Sequence, residues 1–203
     1  MFLLAVETSA VALLACARDG GAKGFAGRDV HAVRYASDRA GWAAGEDGLL
    51  MHSEDAGKTW TRQASGVTAD LRALAVAVSR EGRFVGVAAG DDGTLLRTGD
   101  GATWRRVDVS LFETLRSAAT TPDGSLLLVS GDAGTLLRSD DGGVSWTSIV
   151  VGSANVTEVT LDASGGLAVA IDDTGATWES RDRARHFECV QGTDGTLAQN
   201  VEH

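Results

Sequence analysis

One short phrase recurs along this chain at a nearly constant interval. It reads "SEDAGKTW" from Ser53 to Trp60, "TGDGATW" from Thr98 to Trp104 and "SDDGGVSW" from Ser139 to Trp146. An eroded copy, "SRDRARHF", runs from Ser180 to Phe187. The closing aromatics stand 44, 42 and 41 residues apart. A unit of that length with turn glycines and one aromatic has the period of a propeller blade, which buries its faces by stacking on neighbours. The fold class expected is all-β, a β-propeller of four-stranded antiparallel blades.

The phrase has a physical reading. Hydroxyls of Ser53, Thr98, Ser139 and Ser180, with carboxylates of Asp55, Asp100, Asp141 and Asp182, are suited to bonding backbone N–H groups across a tight turn. Gly57 and Gly143 supply the positive φ that such a turn requires. Trp60, Trp104, Trp146 and Phe187 then fold back into the apolar space between sheets. All of these are structural residues.

Lining up the repeats gives four strands per unit. Innermost strands begin "DVHAV" at Asp29, "DLRAL" at Asp70, "ETLRS" at Glu113 and "NVTEV" at Asn155. Second strands follow as "GWAAGEDG", "RFVGVAAGDDG", "SLLLVSGDAG" and "GLAVAIDDTG", whose apolar runs suit burial on both faces. Third strands, "LLMHS", "TLLRT", "TLLRS" and "ATWES", lead into the phrase, and more polar outer strands come after it. The units span about 29–66, 67–110, 111–152 and 153–192 of one domain.

The chain has 203 residues, 43% of them hydrophobic, which suffices for one well-buried core. Residues 1–28 read either as a hairpin of a fifth blade or as a lipoprotein-like signal, since "LLAC" at Leu13–Cys16 fits a cleavage box. The tail "TLAQNVEH" can supply the missing edge and close a five-bladed ring. An open array that closes by self-association is the alternative. The compartment follows the same choice, cell envelope or secreted if the signal holds and cytoplasmic otherwise.

A formal charge of −10 excludes a nucleic-acid partner, because a phosphate backbone needs a basic footprint. No stretch of about 18 apolar residues is present, so no membrane-spanning helix is expected. Cys16 and Cys189 make neither a disulfide framework nor a metal site. His31, His52, His186 and His203 show no zinc-ligand spacing. Neither metal nor cofactor is expected.

The phrase resembles the Asp-box, or BNR, repeat of sialidases, xyloglucanases, sortilin-type receptors and photosystem II assembly factors. That resemblance implies a fold marker lying away from the chemistry. The first complete unit, Asp29 to Gln63, looks like a blade of photosystem II assembly and stability factor-like proteins: it has Gly41-Trp42, the Gly45 to Gly48 turn, and Thr59-Trp60 closing the box. Looser units extend the likeness over about four-fifths of the chain. The family's ring has seven blades, more than this chain can build alone.

Catalysis is not expected. A sialidase needs an arginine cluster, a Tyr nucleophile and a partnering Glu, yet the one tyrosine, Tyr35, lies in the first innermost strand. A glycosidase needs two opposed carboxylates about 5 to 9.5 Å apart, and the acids here belong to turns. What remains is a face. Equivalent positions at the starts of the innermost strands hold His31, Arg72, Arg116 and Thr157, which the repeat would place around the mouth of a central channel. Long basic side chains there can grip carboxylates or backbone carbonyls. Nearby second-to-third turns carry Glu46, Asp47, Asp91, Asp92, Asp132, Asp172 and Asp173, which Asp-Gly turn geometry explains. The reading is a non-enzymatic protein-binding scaffold or assembly factor whose partner-binding residues are His31, Arg72 and Arg116. A carbohydrate-binding or glycosidase-related propeller is the alternative, as is a repeat fragment that self-associates.

Overall fold

The structure, a computed structural model, describes residues 27–191. Within them the chain forms sixteen strands and one short 3-10 turn, Glu46–Gly48. The first sheet is β1 (Val30–Tyr35), β2 (Gly41–Gly45), β3 (Leu49–Ser53) and β4 (Thr61–Arg62). The second is β5 (Leu71–Val78), β6 (Phe84–Gly90), β7 (Leu95–Thr98) and β8 (Trp104–Arg106). The third is β9 (Leu115–Thr120), β10 (Leu127–Gly131), β11 (Thr135–Ser139) and β12 (Thr147–Val150). The fourth is β13 (Val156–Leu161), β14 (Ala168–Asp172), β15 (Thr177–Ser180) and β16 (Glu188–Gln191). Every pairing is antiparallel and follows sequence order, so these are four propeller-like blades. Of the segment 1–28 read as hairpin or signal, residues 1–26 lie outside the described residues, as do Cys16, the tail and His203.

The strands stack through their side chains. Innermost strands β1, β5, β9 and β13 neighbour one another in that order. Each sheet has a forward face, toward the next sheet in sequence, and a backward face. Trp42, Ala44 and Leu50 point forward from the first sheet onto Leu74, Ala88, Leu96 and Trp104 of the second. Ala73, Ala75, Val87 and Leu95 do the same against Leu115, Leu127, Val129 and Leu137 of the third. Leu128 and Leu136 then meet Val156, Val159, Ala168 and Ala170 of the fourth. Small residues forward on the innermost strands face larger ones behind, which lets these strands approach closely. A two-faced core also explains why β2 and β10 are buried at every position, whereas β4 and most of β12 are exposed.

The four repeated phrases fold alike. Ser53, Ser139 and Ser180 donate Oγ–H to the Oδ1 of Asp55, Asp141 and Asp182 at 2.9, 2.8 and 2.7 Å, and Thr98 does so to Asp100 at 3.1 Å. The same carboxylates accept the backbone N–H of Thr59, Thr103, Ser145 and His186. These bonds favour the ionised acid. The Thr59 hydroxyl and N–H hold Asp55 at about 2, and the N–H groups of Thr103 and Ala102 do the same for Asp100. Gly57 and Gly143 have φ of 82° and 81°. Trp104, Trp146 and Phe187 each pack backward into the gap with the preceding sheet. Trp60 lies on the first sheet's backward face with Val33, Ala43, Leu49 and Met51.

Candidate functional site

The residues read from the sequence as partner-binding share an unusual backbone position. In the first sheet Val30 faces Gly45 and Ala32 faces Ala44, leaving His31 as the extra residue of a β-bulge. Arg72 is the extra residue between Leu71 and Ala73, Arg116 between Leu115 and Ser117, and Thr157 between Val156 and Glu158. Bulges re-aim a side chain and bend the strand that carries it. All four units therefore turn one side chain aside at the same end of the innermost strand.

The two arginines are already held. Arg72 donates Nε–H to Asp91 Oδ1 at 2.6 Å and Nη2–H to Asp91 Oδ2 at 2.7 Å. Arg116 makes the same side-on pair with Asp132, its Nη2 lying 3.1 Å from Oδ2. Thr114 Oγ1–H adds a bond to Asp91 at 3.2 Å. Hydrogen bonds from Arg72 hold the Asp91 carboxyl below the usual carboxylate range, against the opposing pull of burial. Bonding to Asp91 and to Asp132 likewise raises Arg72 and Arg116 above an ordinary arginine, so both stay charged at any working pH. The side chains remain 37% and 40% exposed. Nη1 of each has no partner among the described residues. His31 Nε2 lies 3.8 Å from Asp70 Oδ2, which is also 3.7 Å from Arg72. Thr157 instead stays exposed and donates to the Ile171 carbonyl of its own sheet at 3.2 Å.

The turns opposite complete a stitched rim. Asp47, Asp92 and Ala133 take left-handed φ of 50°, 56° and 53°, followed by Gly48, Gly93 and Gly134, also left-handed. The N–H of these glycines donates to the carbonyls of Ala69, Glu113 and Ala154, in the segment entering the next sheet. A Cβ on Gly48 would lie 2.1 Å from the Val67 carbonyl oxygen, so no other residue fits there. Asp47 pairs with Arg28 at 3.1 Å, and Asp173 accepts from Asn155 Nδ2 at 2.7 Å.

The sequence placed His31, Arg72 and Arg116 at one end, and the structure brings them there. What it missed is that Asp91 and Asp132 are counter-ions as well as turn residues. A signal existed: in both units the acid directly follows the glycine that ends the second strand, Gly90 or Gly131. Of the two tryptophans outside the repeated phrases, neither stands fully exposed. Trp42 is fully buried and donates Nε1–H to the Gly101 carbonyl at 2.9 Å. Trp178 is partly buried and reaches Asp172 Oδ2 at 3.2 Å.

No family model and no curated protein matches this sequence. Solved structures do. The structure of YCF48 bound to D1 peptide is 17% identical with a TM-score of 0.59, over 80% of this chain and 54% of that one. YCF48 from Cyanidioschyzon merolae gives 17% and 0.57, over 80% and 56%. The GH74 xyloglucanase from Xanthomonas campestris gives 16% and 0.58, over 76% and 28%. The chain thus spans about half the length of the YCF48 structures and about a quarter of the xyloglucanase. At these identities the likeness shows the propeller fold. Among the described residues no helix is long and apolar enough to cross a membrane.

Proposed function

We propose that the chain is a non-enzymatic, protein-binding propeller that takes a segment of a partner protein at the rim of bulged residues, and that its repeated turns are Asp-box repeats. The observation that carries this reading is the pair Arg72 and Arg116. Each guanidinium is fixed along its Nε–Nη2 edge by a turn aspartate of its own sheet, with the Nη1 donors left over. A donor held in place loses little freedom when it bonds a partner, which favours affinity. With Asp70, Asp91 and Asp132 beside them, these donors suit neutral acceptors such as backbone carbonyls better than further carboxylates. An extended peptide offers such carbonyls in series. The YCF48 structure with a bound D1 peptide is a propeller of similar fold that holds a peptide. An assembly-factor-like role for this chain is consistent with that likeness.

The test is peptide selection on the purified chain, followed by affinity measurement with Arg72→Gln/Arg116→Gln. Selected peptides should lose more than tenfold in affinity, about 1.4 kcal/mol, at a temperature where both proteins are folded, since losing the pairs with Asp91 and Asp132 also lowers the melting temperature somewhat. Equal binding by the double variant would sink the rim as the site. Clear, salt-insensitive hits on a neutral glycan array with no peptide selected would favour a carbohydrate-binding propeller instead.

A further inference from the structure

Arg97 and Arg138 hold the same place in successive repeats, one residue before the Thr or Ser that opens the acidic turn. Both reach forward to the following sheet's turn. Arg97 donates Nε–H to the Gly142 carbonyl at 2.7 Å, and Arg138 donates its own to the Arg183 carbonyl at 2.7 Å. They differ in what balances their charge. Arg138 Nη2 lies 2.8 Å from Asp140 Oδ2. The residue matching Asp140 in the second sheet is Gly99, and among the described residues no carboxylate pairs with Arg97. A Cβ on Gly99 would stand 3.6 Å from Arg97 Nη2, at ordinary contact distance. The position that a carboxylate fills beside Arg138 is therefore open surface beside Arg97.

That surface is the floor of a groove of about 540 Å³ at the opposite end of the sheets from the bulged residues. Arg80, Arg83 and Arg183 line it together with Arg97. The acids that line it are engaged: Glu81 with Arg83, Asp123 with Arg80 at 2.9 Å, and Asp141 with the hydroxyls of Ser139 and Ser145. Among the described residues the Arg183 side chain bonds only a carbonyl, that of Ser164, at 3.4 Å.

We propose that this groove binds a carboxylate-bearing ligand, whose carboxylate meets Arg97 as Asp140 meets Arg138. The planar carboxylate fits the guanidinium edge, and Arg97 is fixed by its Nε bond before any ligand arrives. A phosphate dianion would suffer more from Glu81, Asp123 and Asp141 nearby. The carboxylate can come from an acidic side chain or from an acidic sugar.

The experiment is an NMR titration of the intact chain with N-acetylglutamate methylamide, with methyl glucuronide and with inorganic phosphate. Saturable shifts of the Arg97 Nε–H and the Gly99 and Gly142 amides with either carboxylate support the site. Response to the first alone points to a protein side chain, and to the second alone to an acidic sugar. Gly99→Asp rebuilds the internal counter-ion, so it should weaken binding at least tenfold without lowering the melting temperature. Gly99→Ala should leave binding intact. Absence of saturable shifts with both carboxylates, equal binding by Gly99→Asp, or tighter binding of phosphate than of either carboxylate would overturn the proposal.

Discussion

The forward faces of the third and fourth sheets come from the same repeat positions and differ in kind. The third presents Ser117, Ala119, Leu128, Ser130, Leu136 and Arg138. The fourth presents Glu158, Thr160, Val169, Ile171, Thr177 and Glu179 in their places. Leu128 and Leu136 are fully buried, whereas Ile171 is 36% exposed. Glu158 stands where the other units have Ala32, Ala73 and Ser117, the small residues that let innermost strands approach. Glu179 stands where Arg97 and Arg138 reach to the next turn; an acid cannot donate to a carbonyl, and it pairs with Arg181 in its own sheet. Among the described residues, matched positions are thus small or apolar where another sheet packs and more polar on the face that no described sheet covers.

The largest test of that contrast is truncation at one matched position. Leu128→Ala should cost about 2 to 5 kcal/mol in urea unfolding through the cavity it leaves between the third and fourth sheets. Val169→Ala, at the same place in the fourth, should cost about 1 kcal/mol or less. Equal costs would mean that the fourth forward face is core in solution. The arginine position gives the next effect. Arg138→Met should lose about 1.5 to 3 kcal/mol, because its bonds to the Arg183 carbonyl and Asp140 come from a side chain only 8% exposed. Glu179→Gln should change stability by less than about 0.5 kcal/mol, as an exposed pair contributes little.

Acid distinguishes what the four sheets share from what they do not. The turn carboxylates Asp55 and Asp100 drop from an ordinary 3.8 to about 2 on folding, and Asp182 is also lowered. A depressed acid stabilises the fold above its unfolded pKa and loses that contribution as pH falls through its folded one. Tryptophan fluorescence should show stability level above about pH 4 and falling from there toward pH 2. A curve flat through that window would remove these turns from the fold's support. The smallest effect belongs to Ile171→Lys, which should shift the melting midpoint by no more than a degree or so. A loss beyond about 2 kcal/mol would show that Ile171 has a covering partner.

Much of this was legible in the sequence because period and turn chemistry are local. The phrase fixed where each third strand ends, and alternation of small and bulky residues identified β2, β6 and β10. The equivalence of His31, Arg72 and Arg116 also followed from alignment alone. Their being bulge residues did not, since a bulge depends on which residues face each other across two strands. Nor did the tie of Arg72 to Asp91, which lie 19 positions apart and meet only when β5 and β6 pair. The missing counter-ion at Gly99 was visible in principle by setting "TGD" beside "SDD". It gained meaning only once Arg138 was seen on Asp140.

The bonds from Gly48, Gly93 and Gly134 to the segment entering the next sheet bear on how such a chain can change length over generations. The first three units carry the donor half of a joint at the turn, and the second, third and fourth the acceptor half at the entry. Gly175, at the matching place in the fourth, donates instead to the Asp172 carbonyl of its own turn. Losing or duplicating the second or third unit whole leaves the remaining half-joints matched, so the described rim re-forms one unit shorter or longer. Cutting two residues from 63–70 instead separates the Gly48 amide from the Ala69 carbonyl and leaves both unmatched. Descent by whole repeats is thus the tolerated path, and the joint sets its step at one unit of the period read in the closing aromatics.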